Sequence, residues 1–327
     1  MQILSSGACP GCPPGSLLPW TQEECHVFVH PSPLFTGCAT ALVTPFLPDG
    51  SLDEEALRRL ISLQLDAGID ALVLLGTTGE PCTLSMDERE RVIAIGLETA
   101  GGRVPVLIGT GSNDTRRAME YARQAKKLGA QGQLSVTPYY NKTTQNGLIR
   151  HYSAILDSCD LPMILYNVPS RTGMSMKPDT LAQLAVHPNV AGLKEASGDL
   201  SLAADFIQRT HGELPLYCGN DDLIVPMMAL GAAGAISVCS NILPLQTRLI
   251  TFACQNGCFD EASDAQQALL PLMRALFAQV NPIPVKAALG MMSLIHDVVR
   301  LPLVPMDEPQ RSRLQRILED CGLIAQR

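Results

Sequence analysis

The stretch 190-VAGLKEAS-197 contains a short, almost entirely apolar run that ends on Lys194. Runs of this kind, bounded by turn residues, are typical of buried β-strands. A lysine at the end of such a run projects its amine into surroundings that solvate charge poorly. Desolvation favours the neutral amine, which can attack a ketone and form a Schiff base. The competing interpretation is a lysine that merely ends a strand at the surface.

Seven further β-rich runs lie along the chain. With Val190–Lys194 they form a set of eight: Thr40–Phe46, Ala71–Leu75, Val104–Gly109, Gly132–Thr137, Leu161–Asn167, Leu214–Gly219 and Ala233–Cys239. Amphipathic stretches separate them, among them Asp53–Ala67, Ser85–Thr99, Thr115–Leu128 and Gly147–Asp157. This alternation predicts an α/β fold, a (β/α)8 TIM barrel. A doubly wound open sheet is the structural alternative, but the glycine fingerprint of dinucleotide sites is absent after the first run.

The chain divides into three predicted regions. Residues 35–258 carry the barrel, and residues 259–327 form a C-terminal helical region whose joints fall at prolines such as Pro282 and Pro302. Residues 1–34 are rich in proline and show no helical or strand period, so we expect a disordered N-terminal extension. Initiation near Leu34 from a non-standard codon would also account for this segment, and an intact mass would test it.

Four residues in the extension have a spacing that could hold zinc: Cys9, Cys12, Cys25 and His30. The surrounding segment has few apolar residues on which to fold, so we do not favour a metal there. The other cysteines of the chain's eleven mostly lie singly in or near apolar runs, which is typical of reduced thiols in an intracellular protein.

The overall composition excludes several classes of function. A net charge of −8 and the lack of any basic run argue against nucleic-acid binding. The N-terminus has no secretory signal pattern. The longest uncharged stretch, from Leu223 to Thr247, is broken by glycines and prolines, so we expect buried core and no membrane span. These features predict a cytoplasmic protein.

Chemically useful side chains follow several of the predicted strands. In a barrel of this type the active site lies at the carboxyl ends of the strands. Strand two is followed by Gly76–Glu80, strand four by Thr137–Asn141, strand five by Tyr166–Gly173, and strand six ends in Lys194. Together they supply an amine nucleophile, phenols that can relay protons, hydroxyls, and an arginine suited to a carboxylate.

Five motifs then resemble one family. They are GTTGE at 76–80, VTPYYN at 136–141, YNVPSRTG at 166–173, GLKEASGD at 192–199 and NPIPVK at 281–286. Their order and spacing are similar to those of the 4-hydroxy-tetrahydrodipicolinate synthase (dihydrodipicolinate synthase) family, within the pyruvate-dependent class I aldolases. The resemblance covers roughly residues 35–323. The Ser-Arg-Thr-Gly after strand five is the most specific of these signals.

The resemblance implies an activity. A lyase of the carbon–nitrogen class would condense pyruvate with L-aspartate 4-semialdehyde, the first step of the diaminopimelate and lysine pathway, without metal or organic cofactor. A homotetramer, a dimer of dimers, is implied. The alternative is a sibling aldolase acting on N-acetylneuraminate or a 2-keto-3-deoxy sugar acid, and a catalytically dead barrel serving as a scaffold is a third possibility. Arg171 disfavours the sibling, and retention of the whole set of site residues disfavours the scaffold.

The resemblance also implies a role for each site residue. Lys194 forms the Schiff base with pyruvate. The proton relay consists of Tyr166, Thr77 and Tyr140, the last reaching into a neighbouring subunit. Substrates are held by Thr78, Arg171 and backbone groups of Gly219 and Ile236. We expect Glu195 to face away from the site, because strand residues alternate faces, Glu80 to bond within its own turn, and Lys286 to be structural.

One departure from the family concerns feedback inhibition. Lysine-inhibited members hold the amino acid with a glutamate and histidines. Here Arg117 occupies what resembles the glutamate position, and Met86 and Arg89 occupy the histidine positions, although Asn113 and Tyr139 are present. A cation where an ammonium should bind is repulsive. The sequence therefore predicts weak or absent inhibition by L-lysine.

Overall fold

The structure is a computed structural model that describes residues 33–325. Eight parallel strands form a closed barrel in chain order: β1 (Gly37–Ala41), β2 (Ala71–Leu74), β3 (Val106–Gly109), β4 (Gly132–Val136), β5 (Met163–Asn167), β6 (Val190–Glu195), β7 (Leu216–Cys218) and β8 (Gly234–Ser237). The first strand pairs with the last, with Ala39 opposite Ile236. The predicted (β/α)8 barrel is confirmed.

Helices alternate with the strands and continue beyond them. They are α1 (Glu54–Asp66), α2 (Met86–Ala100), α3 (Thr115–Leu128), α4 (Gln145–Ser158), α5 (Pro169–Thr172), α6 (Pro178–Ala185), α7 (Leu200–Arg209), α8 (Ile224–Ala229), α9 (Pro244–Gln255), α10 (Phe259–Ala275), α11 (Ile283–Met291) and α12 (Glu308–Asp320). Of the last three, α10 packs on α9, and α12 packs on both α10 and α11. The predicted C-terminal helices are therefore present.

Local signals in the sequence account for several helix ends. The side chain of Ser85 accepts from the backbone N–H of Glu88, and the Glu88 carboxylate accepts from the N–H of Ser85, which forms a capping box at the start of α2. Gly129 ends α3 in the left-handed region at φ +97°, where a residue with a β-carbon would be strained. The first marks where the loop after β2 ends, and the second marks where the connection from α3 to β4 begins.

The prediction for the first strand was wrong. The run Thr40–Phe46 was expected to be the strand, but β1 begins at Gly37 and ends at Ala41. Leu42, Val43 and Phe46 are buried all the same, because they lie in the loop that follows the strand and pack into the core outside the barrel. An apolar run indicates that its residues are buried. Buried residues occur both in strands and in loops that other segments cover, so the run alone does not identify a strand.

The core has two parts. The larger lies between the strands and the surrounding helices. The smaller fills the barrel interior with side chains from alternate strand positions, among them Phe35, Ala39, Val73, Leu107, Leu134, Ile164, Tyr217 and Ile236. Phe35 stacks on Tyr217, whose hydroxyl donates to the carbonyl of Phe35 at 2.8 Å. The interior is thus filled by side chains.

The uncharged stretch Leu223–Thr247 is divided between α8, β8 and the start of α9. Within residues 33–325, no helix is long and apolar enough to cross a membrane. The same part of the chain holds no group of three or more histidine, cysteine or acidic side chains placed to bind a metal. The expected disorder of residues 1–34 and the zinc spacing of Cys9, Cys12, Cys25 and His30 concern positions outside the described residues, apart from Pro33 and Leu34.

Candidate active site

A cavity of about 440 Å³ opens at the carboxyl ends of the strands. Its walls include six of the eight residues that the sequence singled out: Thr77, Thr78, Tyr166, Arg171, Lys194 and Gly219. They come from the ends of β5, β6 and β7 and from the turn after β2. The barrel therefore brings together residues that are more than 100 positions apart in the chain, as this fold does when it builds a site from strand ends.

Lys194 lies in the wall of this cavity near the end of β6 and is 5% exposed. Strand register places it directly beside Tyr166 of β5. Its Nζ lies 4.6 Å from the centroid of the Tyr166 ring, within the range of a cation–π contact. An amine in this place meets a phenol on one side and the open cavity on the other. A nucleophile that exchanges protons during its reaction needs a proton-transfer partner, which the phenol can be, and space for a substrate, which the cavity provides.

The space around the lysine side chain depends on Gly219, which follows β7. A β-carbon at this position would lie 3.0 Å from Lys194 Cε, 2.6 Å from Ala196 Cβ and 3.0 Å from the carbonyl of Glu195. The backbone there can approach β6 only because the residue has no side chain. Glycine at 219 thus leaves room for the butyl chain of Lys194.

The turn after β2 supplies two hydroxyls. Thr77–Gly79 forms a single 3-10 turn, and Thr78 is buried while Thr77 is partly exposed to the cavity. The Thr78 Oγ1 accepts from the Asn281 side-chain amide at 2.9 Å. The Thr44 Oγ1 donates to the carbonyl of Gly79 at 2.8 Å. The turn is therefore held at Thr78 and at Gly79.

Arg171 lies at the exposed mouth of the cavity, in the short helix α5. Its Nη2 donates to the carbonyl of Asn281 at 3.1 Å, which leaves the other guanidinium N–H groups available for a carboxylate. Asn281 therefore links the threonine turn to the arginine. Its Oδ1 is buried and finds no hydrogen-bond partner among residues 33–325. The sequence analysis did not place this residue in the site, although it begins the NPIPVK motif. The residue of that motif with distinctive chemistry is the charged Lys286.

Two predicted residues are not in this cavity. Tyr140 is 91% exposed in the loop after β4 and has a left-handed backbone at φ +68°. Ile236 is completely buried in the barrel interior. A tyrosine so exposed beside a site is unusual for its residue type, because aromatic rings contribute most when they are buried.

A smaller, mostly apolar cavity of about 300 Å³ continues from the first. Thr77, Tyr166, Arg171 and Asn281 border both, and Tyr139 and Cys82 line the smaller one. Burial, followed by the nearby Cys82 thiol, raises the pKa of Tyr139 to about 12, so its phenol stays protonated at neutral pH. The cavity extends the site as a mostly apolar space that reaches Tyr139.

Two glutamates beside the site had expected positions: Glu195 faces away from the cavity as expected, and Glu80 does not bond as expected. Glu195 is buried outside the cavity wall, where its carboxylate accepts from the Asn167 amide at 2.8 Å and from the N–H of Ser197. Glu80 was expected to bond within its own turn. Instead its side chain forms a buried ion pair with Lys286 and accepts from the N–H of Arg300 at 3.1 Å. The expectation failed because the partners lie more than 200 residues away.

The residues at the expected lysine-binding positions form a cationic arrangement. Arg89 is buried, donates to the carbonyl of Gly109 at 2.8 Å, and stacks 3.8 Å from the centroid of the Tyr121 ring. Arg117 approaches the same ring at 5.9 Å and pairs with Glu120 on its own helix. Burial lowers the pKa of Arg89, yet a guanidinium keeps its proton at any ordinary pH.

Fold and site together define the class of this protein as a (β/α)8-barrel enzyme. Residues 34–321 match the model of the dihydrodipicolinate synthetase family, so the chain belongs to that family. The 4-hydroxy-tetrahydrodipicolinate synthase of Pelobacter propionicus is 46% identical over 291 residues, covering 89% of this chain and 100% of the relative. The enzyme of the same name from Caldicellulosiruptor bescii is 47% identical over 290 residues, covering 89% and 98%.

A solved structure extends the comparison. The dihydrodipicolinate synthase of Acinetobacter baumannii, described as chloride inhibited and complexed with pyruvate, superposes with a TM-score of 0.87 at 42% identity. The match covers 88% of this chain and 99% of that one. Likeness at this level of identity and coverage extends over the whole barrel and the C-terminal helices.

Proposed function

We infer that this protein is a 4-hydroxy-tetrahydrodipicolinate synthase, which condenses pyruvate with L-aspartate 4-semialdehyde in the first step of the diaminopimelate and lysine pathway. The observation that carries the inference is the cavity in which Lys194, Tyr166, Thr77, Thr78 and Arg171 meet. Family membership and relatives that carry this name support it. The sibling sugar-acid aldolases have no specific observation in their favour.

The proposed reaction begins at Lys194. Its Nζ attacks the ketone carbon of pyruvate, water leaves, and an iminium forms. Loss of a methyl proton then gives an enamine whose carbon attacks the aldehyde of the second substrate. Finally the amino group of that substrate attacks the former ketone carbon and displaces the Nζ, which closes the ring and regenerates the lysine. Each step moves a proton or forms a bond at carbon or nitrogen, so the proposal includes no cofactor.

The hydroxyl groups around the amine supply the proton transfers. Tyr166 lies beside Lys194, and Thr77 lies in the same cavity wall. A relay from phenol to hydroxyl to phenol needs a second tyrosine near Thr77. We assign that role to Tyr140 of a neighbouring copy, because in its own chain this side chain is 91% exposed and outside the cavity. The proposed site is therefore complete only in an oligomer, and we propose a homotetramer built as a dimer of dimers.

Recognition of the two carboxylates divides between opposite sides of the cavity. Thr78 lies deep in the wall beside the lysine, where the small carboxylate of pyruvate can accept hydrogen bonds from its hydroxyl and from nearby backbone N–H groups. Arg171 lies at the mouth, where a guanidinium can pair in bidentate fashion with the carboxylate of the semialdehyde. Gly219 leaves room beside the Schiff base. We also assign backbone groups of Gly219 and Ile236 to substrate binding, as the resemblance implies. We also propose a cytoplasmic location, in keeping with free thiols throughout the described residues.

A coupled assay tests the proposal. Purified protein would receive pyruvate and L-aspartate 4-semialdehyde, and NADPH consumption by added dipicolinate reductase would report the product. We expect turnover that disappears in Lys194→Ala, together with a mass increase on Lys194 when borohydride is added to the pyruvate complex. A folded wild-type protein without turnover would refute the proposed reaction.

A further inference from the structure

The turn that carries Thr77 and Thr78 is bracketed by residues in an unfavourable backbone conformation. Leu75 precedes it at φ +56°, and Glu80 follows it at φ +51°. Side chains with a β-carbon rarely adopt this left-handed region, and they persist there only when the surroundings enforce it. Something outside the turn must therefore hold it in place.

The enforcing contacts come from the C-terminal region. The Glu80 carboxylate pairs with the Lys286 ammonium of α11, and both side chains are essentially removed from solvent, at 1% and 0% exposure. The second carboxylate oxygen accepts from the N–H of Arg300 at 3.1 Å. Lys286 Nζ also donates to the carbonyl of Val298 at 2.7 Å. The ion pair thus joins the catalytic turn to two separate parts of the C-terminal segment.

A ring and a second cation complete the arrangement. Lys286 Nζ lies 4.0 Å from the centroid of Phe46, and the Arg300 guanidinium lies 4.2 Å from it. Arg300 also donates to the carbonyl of Gly50 at 2.7 and 2.9 Å and forms an ion pair with Glu88 in α2. The loops after β1 and β2 are therefore tied to the same C-terminal segment.

The contacts of Glu80 lead directly to the reacting hydroxyl. The N–H of Glu80 donates to the carbonyl of Thr77 at 3.2 Å, so a shift of Glu80 moves the backbone of Thr77. The same stretch of chain grips the turn at a second point, where Asn281, just before α11, bonds to the Thr78 hydroxyl. Two points of attachment fix the turn relative to the barrel wall that carries Lys194.

We propose that the buried Glu80–Lys286 pair is a positioning device for catalysis: it sets the place of the Thr77 hydroxyl in the proton relay. Retaining a charged pair in this setting is otherwise hard to explain, since a buried ion pair contributes little net stability compared with well-packed apolar side chains. Burial lowers the pKa of Lys286 to about 8, so the ammonium remains the main form at neutral pH. The proposal rests on the proposed function.

The test compares charge removal with a matched control in the same region. Glu80→Gln keeps the shape of the side chain and removes its charge, while Glu80→Leu/Lys286→Met removes both partners without leaving a buried charge. Asp297→Asn serves as the control, because Asp297 pairs with Arg311 at 2.6 Å in the C-terminal segment and, within the described residues, forms no hydrogen bond or ion pair with the turn. Each variant is assayed for kcat, for KM of pyruvate, for melting temperature, and for borohydride trapping of pyruvate on Lys194.

We expect Glu80→Gln and the double variant to lose about tenfold to a hundredfold in kcat, the loss typical of a group misplaced by about 1 Å. Trapping on Lys194 and KM of pyruvate should stay within about threefold of wild type, because the lysine does not move. If Glu80→Gln does not fold, the double variant carries the test alone. A double variant whose kcat matches Asp297→Asn would overturn the proposal. Wild-type protein without turnover would instead refute the proposed function.

Discussion

The space at Gly219 gives a sharp prediction about Lys194. In Gly219→Ala the new β-carbon would lie 3.0 Å from Lys194 Cε and 2.6 Å from Ala196 Cβ. Carbon atoms in ordinary contact are about 3.5–4.0 Å apart, so relief requires a shift of roughly 0.5–1 Å at Lys194 Cε and roughly 0.9–1.4 Å at Ala196 Cβ. A displacement of that size at a reacting group costs on the order of a hundredfold in rate, and the crowding itself costs about 1–3 kcal/mol of stability.

The assay separates the two contacts. Borohydride trapping of pyruvate, followed by intact mass, measures Schiff-base formation directly, and thermal unfolding measures the cost in stability. In Gly219→Ala/Ala196→Gly the contact at 2.6 Å is removed while the contact with Lys194 remains. We expect this double variant to regain stability and to trap pyruvate as slowly as the single variant. Wild-type trapping rates in Gly219→Ala would refute the reasoning, and full recovery in the double variant would place the defect at Ala196.

Three further predictions concern other parts of the site and the fold. L-lysine should inhibit weakly, because Arg117 and the buried Arg89 present positive charge to an ammonium; half-inhibition at submillimolar lysine would contradict this. Arg171→Lys keeps the charge but loses the planar fork, so KM for the semialdehyde should rise about tenfold or more with trapping of pyruvate unchanged; equal KM values would count against the assignment. Burial lowers the pKa of His151 to about 4, and the unfolded chain takes up that proton near pH 6.5. Stability should therefore fall by roughly 2–3 kcal/mol as the pH drops from 6.5 to 4, and less in His151→Gln; denaturant unfolding across this range, with identical losses in both proteins, would exclude the histidine.

The fold could be read from the sequence because periodicity and turn residues report burial and helix ends directly. The strands predicted at Ala71–Leu75 and Val190–Lys194 differ from β2 and β6 by one residue, and the amphipathic stretch Ser85–Thr99 differs from α2 by one residue at each end. The first strand was misplaced, since Leu42–Phe46 is as apolar as a strand but lies in a covered loop. Local sequence patterns do not distinguish a buried strand from a loop that other parts of the chain cover.

The site was predictable only where single residues have distinctive chemistry. Lys194 stands out because an ammonium at the end of an apolar strand needs an explanation. Asn281 and the pairing of Glu80 with Lys286 were missed, because nothing local marks an amide or a carboxylate whose partner lies about 200 residues away. The closeness of such residues is a property of barrel closure and of the path taken by the C-terminal helices. No motif near either residue in the sequence indicates that the two residues are close in space.

The separation between Glu80 and Lys286 also orders events while the chain is being made. The two residues are 206 positions apart, so at about 5–20 residues per second the ribosome delivers the lysine roughly 10–40 s after the carboxylate. During that interval the turn carrying Thr77 has no ammonium to hold it, although the nascent chain soon contains Lys194. On the proposed assignment, an unfinished polypeptide therefore contains the amine of Lys194 before it contains the ammonium that holds the Thr77 turn. The proposed arrangement forms only after Lys286 has been synthesised.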